Sequence, residues 1–254
     1  MEQKSLPLLE FDENKLAKAM PDHFNIVRGI PERCVIAFSQ SSVEETAKKY
    51  GARVVGAIGS CTCSLPIYAL ECSGKEVALV CGTMGAAGTA MQMEELICGG
   101  ARQFVVCGSA GSLTPNPLGA LVIPTSAVRD EGTSYHYAPP AYEIEADGYV
   151  TSKIGETLTS FGIPYIFGKT WTTDAFYRET EEKVALRRSQ GCVTVEMEAA
   201  AMMAVAQFRG VRLGQILYCG DDLSGTDYDH RNFFDAKDTC RMITELSIQC
   251  CAAI

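Results

Sequence analysis

No apolar run in this sequence is long enough to cross a bilayer; the most hydrophobic stretches stop after about six to eight residues, a length that suits buried strands. Long runs of a single charge sign are also missing, and the formal charge is −9, from 31 acidic and 22 basic residues. That balance excludes a broad footprint for nucleic acid or for an anionic membrane, while leaving room for a buried anion pocket. Histidine is scarce, at three residues, and no CxxC spacing occurs among the twelve cysteines. Cys61 and Cys63 form CxC and Cys250 and Cys251 are adjacent, yet neither pair has partners at the usual ligand spacings, so no metal site is expected. Met1 opens a polar segment with no basic and then hydrophobic stretch behind it. The cysteines are therefore expected as free thiols of a cytoplasmic chain. No internal repeat is visible.

What is present is alternation. At 254 residues the chain is expected to form a single domain, 1–254, preceded by an N-terminal arm over residues 1–25. Strands are expected at 33–38, 53–58, 66–72 and 76–82, with a polar helix starting near Ser41 or Ser42, where Ser42 and Glu45 make the SxxE capping pattern. Gly82, Gly85 and Gly88 then punctuate GTMGAAGTA before a helix at 89–100, and the strand 103–113 runs into a second small-residue loop, CGSAGSL. A strand that feeds a glycine loop twice, with a helix between, is the signature of parallel pairing in an α/β fold.

Further on, 119–132 reads as strand and turn, and 133–142, with two prolines and three tyrosines, as a mobile rim. Helices are expected at 146–160, 180–189, 197–209 and 235–250, and strands at 192–196 and 213–219. The segment 223–234 has no clear periodicity and is expected to cover something. Two acidic clusters stand at ends of these strands: Glu196 and Glu198, flanking Met197, and the pair Asp221 and Asp222. Ligands of open α/β sheets bind at such strand ends.

Six stretches in order, GTMGAAGTAMQMEELICGG (82–100), CGSAGSL (107–113), VRDEG (128–132), TTDAFY (172–177), TVEMEAAAM (194–202) and ILYCGDD (216–222), resemble the nucleoside phosphorylase superfamily. The nearest branch is that of uridine phosphorylase and the hexameric bacterial purine nucleoside phosphorylases. The resemblance implies a three-layer α/β sandwich around a mixed, partly barrel-like central sheet, assembled as a homodimer or a hexamer built from dimers. It implies an enzyme that cleaves the N-ribosidic bond of a small-molecule nucleoside by phosphorolysis, giving free base and (deoxy)ribose 1-phosphate. No cofactor is implied beyond inorganic phosphate as co-substrate.

Bond cleavage builds positive charge on the sugar and negative charge on the departing base, so a sugar clamp and a proton donor are both needed. By resemblance, Glu198 bonds the ribose 2′ and 3′ hydroxyls, Met197 packs on the sugar and Glu196 is a neighbouring polar contact. Asp221 matches the acid that protonates purine N7, and the adjacent Asp222 is the alternative. Phe176 matches an aromatic that stacks on the base, beside Tyr177, and Ser109, Ala110 and Gly111 match the small-residue loop of the site. Asp174 is expected to order its loop, and His23 matches a histidine that some relatives extend to the ribose 5′ hydroxyl of a neighbouring subunit. The pyrimidine branch carries a longer segment after its FY motif, with a glutamine and an arginine that read uracil; residues 178–193 lack it, which favours a purine-type base.

On the phosphate side the chain departs from its relatives. The family places arginine in a GDPxR loop after the first strand, before the GS/TxG loop, and often in the neighbouring subunit. Here Ser39 and Val43 stand at the glycine and arginine positions, Val106 replaces the second arginine, and residues 60–65, SCTCSL, supply no third. Each lost contact would be worth about 1.5–3 kcal/mol. Arg28, Arg33, Arg53 and Arg129 are the candidates for a rebuilt clamp, with Arg129 expected to fix its own loop. Nucleosidases of the same superfamily use water and place glutamates after the first strand, where Glu44 and Glu45 lie, so Glu44 is a candidate general base. A nucleoside-binding protein without turnover is the third reading.

Overall fold

The computed structural model describes residues 6–24, 26–61, 63–232 and 236–254. Parts of four sequence readings therefore lie outside the described residues: the start of the arm and Asn25, Thr62 of the third loop, residues 233–234 at the end of the 223–234 segment, and Asp235 at the start of the expected helix 235–250.

Five strands close into a ring. Strand β5 (Gln103–Ser112) is parallel to β10 (Arg212–Asp222), which runs antiparallel to β6 (Leu121–Asp130). In turn β6 is parallel to β8 (Tyr165–Thr173), β8 is parallel to β9 (Cys192–Glu196), and β9 returns antiparallel to β5. A wing leaves the ring at β5 through β1 (Arg33–Ala37), β4 (Lys75–Cys81), β3 (Ser64–Cys72) and β2 (Arg53–Gly59). The three-residue β7 (Glu143–Glu145) pairs with β6. The result is the mixed, partly barrel-like sheet expected from the resemblance.

Helices cover both faces, which is why the central strands read as continuous apolar runs instead of alternating ones. On one face α2 (Ala86–Gly99) and α5 (Ala199–Arg209) bury Ile36, Phe104, Met93 and Met202 in a common core. On the other, α1 (Gln40–Lys49), α3 (Gly148–Ser160) and α6 (Lys237–Ala253) enclose Val35, Leu79, Ile154 and Ile248. A smaller cluster of Ala110, Val122, Leu217 and Cys219 joins three strands of the ring. Met93, Met202 and Met203 are core, while Met91 is exposed. The twelve cysteines are free, and among the described residues no helix is long and apolar enough to cross a membrane.

Helix ends follow local chemistry. The Ser39 side chain accepts from the Ser42 amide, so α1 starts at Gln40, one to two residues before the expected Ser41 or Ser42. Asp147 caps α3, Thr180 caps α4 (Glu181–Ser189), and α5 stops at Gly210 with φ +69°. Strand β10 continues through Asp221 and Asp222, three residues past the expected end, because Asp222 pairs with Ser112 on β5 and bridges to Asp229. The 133–142 segment, expected to be a mobile rim, is anchored: Arg129 donates to Ser134 Oγ (2.8 Å) and to the carbonyls of Pro139 (2.6 Å) and Ala138 (3.1 Å).

Candidate functional site

The β9–α5 junction decides where the two glutamates point. The strand ends at Glu196 and the helix begins at Ala199, so the alternation that would send Glu196 and Glu198 to one face is broken between them. Glu196 turns back and caps α5: Oε2 accepts from the amides of Glu198 (2.7 Å) and Ala199 (2.6 Å), and Oε1 accepts from Thr172 Oγ1 (2.6 Å). The Thr172 hydroxyl oxygen in turn accepts from the Ala200 amide (3.0 Å). Oε2 of Glu196 is thus filled by the helix amides, while Oε1 keeps one lone pair beside its bond from Thr172.

Glu198 points elsewhere. Its Oε1 accepts from the Gly85 amide at 2.5 Å, which ties it to the glycine loop at the start of α2. Both glutamates are buried, and burial pushes both carboxyls above the ordinary range. The charge of Glu198 adds to the shift on Glu196, and the amide hydrogen bonds oppose it. The Gly85 and Met197 amides oppose the burial shift on Glu198, and a buried carboxylate with acceptor capacity to spare is suited to accept hydroxyl donors from a sugar. Met197 is half-buried between them.

The adjacent aspartates separate into different roles. Asp222 is ion-paired to Arg231 and accepts from the Ser224 amide (2.8 Å); burial raises its pKa, but these donors outweigh it and hold the group low. Asp221 is 4% exposed, its Oδ2 is buried with no hydrogen-bond partner, and burial pushes its pKa up against the opposing effects of Tyr228, His230 and Arg231. Gly111 lies beside it: a Cβ there would come within 2.7 Å of Leu223, 2.9 Å of Val195 and 3.6 Å of Asp221 Oδ1. Ala110 is in the ring core and Ser109, half-buried, pairs across the strands with Tyr218, whose pKa burial and then Cys240 raise against the opposing Ser109 hydroxyl.

A cavity of about 930 Å³ is walled by Phe176 and Tyr177, by Arg188 of α4, and by residues 223–228 and His230; Asp221 stands behind this lining, near enough for its charge to help raise Glu179 and Tyr228 of the wall, which burial raises first. The described part of the 223–234 segment, at 223–230, thus does cover something. Phe176 and Tyr177 meet edge to face at 5.1 Å, with Phe176 half-covered and Tyr177 93% exposed. The α4 wall is pinned by Asp130, whose Oδ2 accepts from Trp171 Nε1 (3.0 Å), Lys183 (3.1 Å) and Arg187 (3.0 Å). Asp174 accepts from the Gly132 amide (2.8 Å) and orders that turn. Glu179, also in the wall, was not singled out from the sequence because RETEEK reads as a solvated charge run.

The anion side holds no spare guanidinium among the four candidates. Arg28 donates to the Cys98 carbonyl (2.7 Å), Arg33 to the Ile254 carbonyl (2.9 Å), Arg53 pairs with Glu76 (2.5 Å), and Arg129 holds the 134–139 turn. Glu44 is exposed on α1, accepts from Gln40 Nε2 (2.9 Å), and lies near enough to Cys81 to help raise that thiol, which burial raises first. Glu45 pairs with Arg241 (3.5 Å). His23 sits on the arm segment Pro21–His23, where its Nδ1 accepts from the Met20 amide (3.3 Å), so within one chain its recorded bond is local. No cluster able to hold a metal occurs among the described residues.

Comparison with known proteins agrees with this architecture. The chain is 28% identical over 142 residues to a guanosine phosphorylase of Halorubrum lacusprofundi, covering 54% of this chain and 59% of that protein. It is 34% identical over 110 residues to a uridine phosphorylase of Thermococcus kodakarensis, covering 38% and 40%. The chain therefore spans about half the length of the curated relatives it matches. Among solved structures, uridine phosphorylase of Vibrio fischeri superposes with a TM-score of 0.75 at 21% identity, over 89% of this chain and 94% of that one. Purine nucleoside phosphorylase of Toxoplasma gondii gives 0.73 at 20% identity, over 88% and 91%. These likenesses establish the fold. A model of the phosphorylase superfamily matches residues 32–254, and the chain belongs to that family.

Proposed function

We propose that this protein cleaves the N-ribosidic bond of a nucleoside by phosphorolysis, releasing a purine-type base and a (deoxy)ribose 1-phosphate. The observation that carries the reading is Asp221: a buried carboxyl, raised in pKa, with an unpartnered oxygen beside an aromatic-walled cavity. Burial favours the protonated form of such a group, whose proton can pass to N7 as the electron pair of the broken C–N bond moves onto the base. Phosphate oxygen then forms the new bond to the sugar C1′, and Glu198 steadies the sugar hydroxyls while positive charge builds there. Phe176 supplies a flat apolar face for the base. The short segment after Phe176 forms α4, and its lack of the longer insertion that carries the uracil-reading glutamine and arginine in the pyrimidine branch supports a purine. Both guanosine and uridine phosphorylases stand among the relatives.

The protein acts as a homo-oligomer in this reading. Exposed Phe24, Val54, Met84 and Met91 lie on the arm, β2, the glycine loop and α2, elements that pack together near His23, and they support a subunit contact there. Inorganic phosphate is the co-substrate, and no other cofactor is invoked.

Hydrolysis is the second reading, favoured by one observation: all four candidate arginines are committed elsewhere while Glu44 stands near Cys81. The test is base release from a panel of purine and pyrimidine nucleosides after exhaustive removal of phosphate from the protein. Release that requires added phosphate and yields sugar 1-phosphate supports phosphorolysis. Phosphate-independent release of free sugar would replace that reading with the hydrolytic one and bring in Glu44. No release under either condition would overturn both.

A further inference from the structure

Helix α2 carries two polar side chains where its neighbours are core. Thr89 and Gln92 are both buried, on a helix whose Ala90, Met93 and Leu96 pack in the main apolar cluster. A buried amide is costly unless both its donor and its acceptor are met. Those of Gln92 are met by one short stretch of backbone: Oε1 accepts from the Thr83 amide (3.0 Å) and Nε2 donates to the Cys81 carbonyl (2.7 Å). These two backbone groups settle which way round the side-chain amide lies, since an N–H needs an oxygen and a carbonyl needs an N–H.

Thr83 is thereby held from three sides. Its amide is bonded to Gln92, its carbonyl accepts from Thr89 Oγ1, and its methyl would lie 2.7 Å from a Cβ placed on Gly88. Gly88 and Thr89 precede Gln92 by four and three residues, so all three share one face of α2, and the helix grips the loop that leads into its own start. Two residues beyond Thr83, the Gly85 amide donates to Glu198 Oε1 (2.5 Å). Met84, between them, has its side chain 78% exposed. The place of the Gly85 amide is therefore set by what holds Thr83, because Gly85 has no side chain to fix it.

We propose that Gln92 is a positioning residue for the sugar end of the site: by bridging Cys81 and Thr83 it holds the Gly85 amide on Glu198, and so sets the direction in which that carboxylate meets the ribose hydroxyls. The inference rests on the reading of Glu198 as the sugar clamp and deepens it. An apolar side chain at 92 leaves a buried N–H and a buried C=O unsatisfied, and the loop recovers those bonds only by moving toward water. Glu198 then loses a donor that favours its charged form.

A double-mutant cycle on the full chain tests this, read as kcat/KM for base release from guanosine or uridine, whichever the wild type cleaves faster. Gln92→Met, close in volume but without hydrogen-bonding groups, is expected to lower kcat/KM by about tenfold, the factor that one lost hydrogen bond supplies, with the nucleoside KM carrying most of the loss. In a Glu198→Gln background the same change is expected to alter kcat/KM by less than about twofold, because both substitutions remove one and the same interaction. Thr89→Val, which frees the Thr83 carbonyl, is expected to follow the same pattern and decides the matter if Gln92→Met does not fold. A loss that repeats in full in the Glu198→Gln background overturns the proposal and leaves the sugar clamp standing. So does wild-type kcat/KM in both variants, whatever their thermal midpoints. Wild-type kcat/KM in Glu198→Gln alone overturns the clamp and this inference with it, as does a wild type that releases base from neither nucleoside.

Discussion

The backbone amide of Gly85 donates to Glu198 Oε1 at 2.5 Å, joining the first residue before α2 to the carboxylate at the start of α5. Gly85 has φ +90° and ψ 149°, a conformation that side chains rarely adopt, although a Cβ there would meet no atom within 4 Å. The constraint on this position is therefore backbone strain and not space. Gly85→Ala is expected to cost about 1–3 kcal/mol and to lower turnover by displacing Glu198. Urea unfolding together with base release measures both, and a wild-type midpoint would show that the loop relaxes freely.

The two glutamates should respond differently to the same change. Glu198→Gln is expected to reduce kcat/KM by about 100-fold or more, since charge-assisted hydrogen bonds to sugar hydroxyls contribute about 1.5–3 kcal/mol each. Glu196→Gln places an amide nitrogen where helix amides need an acceptor, and is expected to destabilise the fold by about 1–2 kcal/mol, as for other lost helix caps. Equal effects of both changes on activity and none on stability would overturn this division.

The neighbouring aspartates offer a similar comparison. Asp221→Asn removes the proton donor and is expected to lower kcat on purine nucleosides by about 10²–10⁴-fold. Asp222→Asn breaks the pair with Arg231 and should loosen the 223–231 segment, raising KM more than it lowers kcat. Steady-state kinetics of both variants decide the matter, and full activity in Asp221→Asn would move the acid role to another group.

Stability should fall as pH rises across the neutral range. Glu179, Glu196, Glu198 and Asp221 all have raised pKa values in the folded protein, led by burial. Between the ordinary carboxylate range, about 4, and the Glu179 value of about 8, the folded chain holds protons that the unfolded chain has released. Fewer protons on the unfolded state means a negative slope of unfolding free energy with pH. Asp130 and Asp222 are depressed despite burial, by their hydrogen-bonding and cationic partners, so their stabilisation is complete above the ordinary range and is lost only in acid. Urea midpoints should therefore decline from pH 5.5 to 8.5, less steeply in Glu179→Gln; a flat profile would contradict the raised values.

Much of the architecture was legible because its signals are local. Strand β9 starts where Gly191 ends the preceding turn and stops at Glu196, as its alternation indicated, and the two small-residue loops marked the parallel strands on either side of α2. What escaped was whatever depends on a distant partner. Strand β10 extends into an acidic pair only because β5 and Asp229 supply its hydrogen bonds. The commitment of Arg28, Arg33 and Arg53 to Cys98, Ile254 and Glu76 has no trace in their own neighbourhoods. Similarly, Glu196 and Glu198 are two residues apart and chemically alike, yet the strand-to-helix junction between them assigns one to a cap and ties the other to the Gly85 loop. Glu179 was hidden by the opposite effect, a charge-rich context that resembles exposed helix surface.

The ring of five strands also has a temporal consequence. It is closed by β10, which pairs with both β5 and β6, so a chain emerging from the ribosome cannot complete it until residue 222 has been made. Until then the first half of the protein exposes unpaired edges of β5 and β6, and partners more than a hundred residues apart must wait for each other, a circumstance that slows folding and invites capture by chaperones. Because Asp221 sits on that closing strand, no partly synthesised intermediate can hold this carboxyl in its buried place: the candidate acid is seated in the same event that seals the barrel.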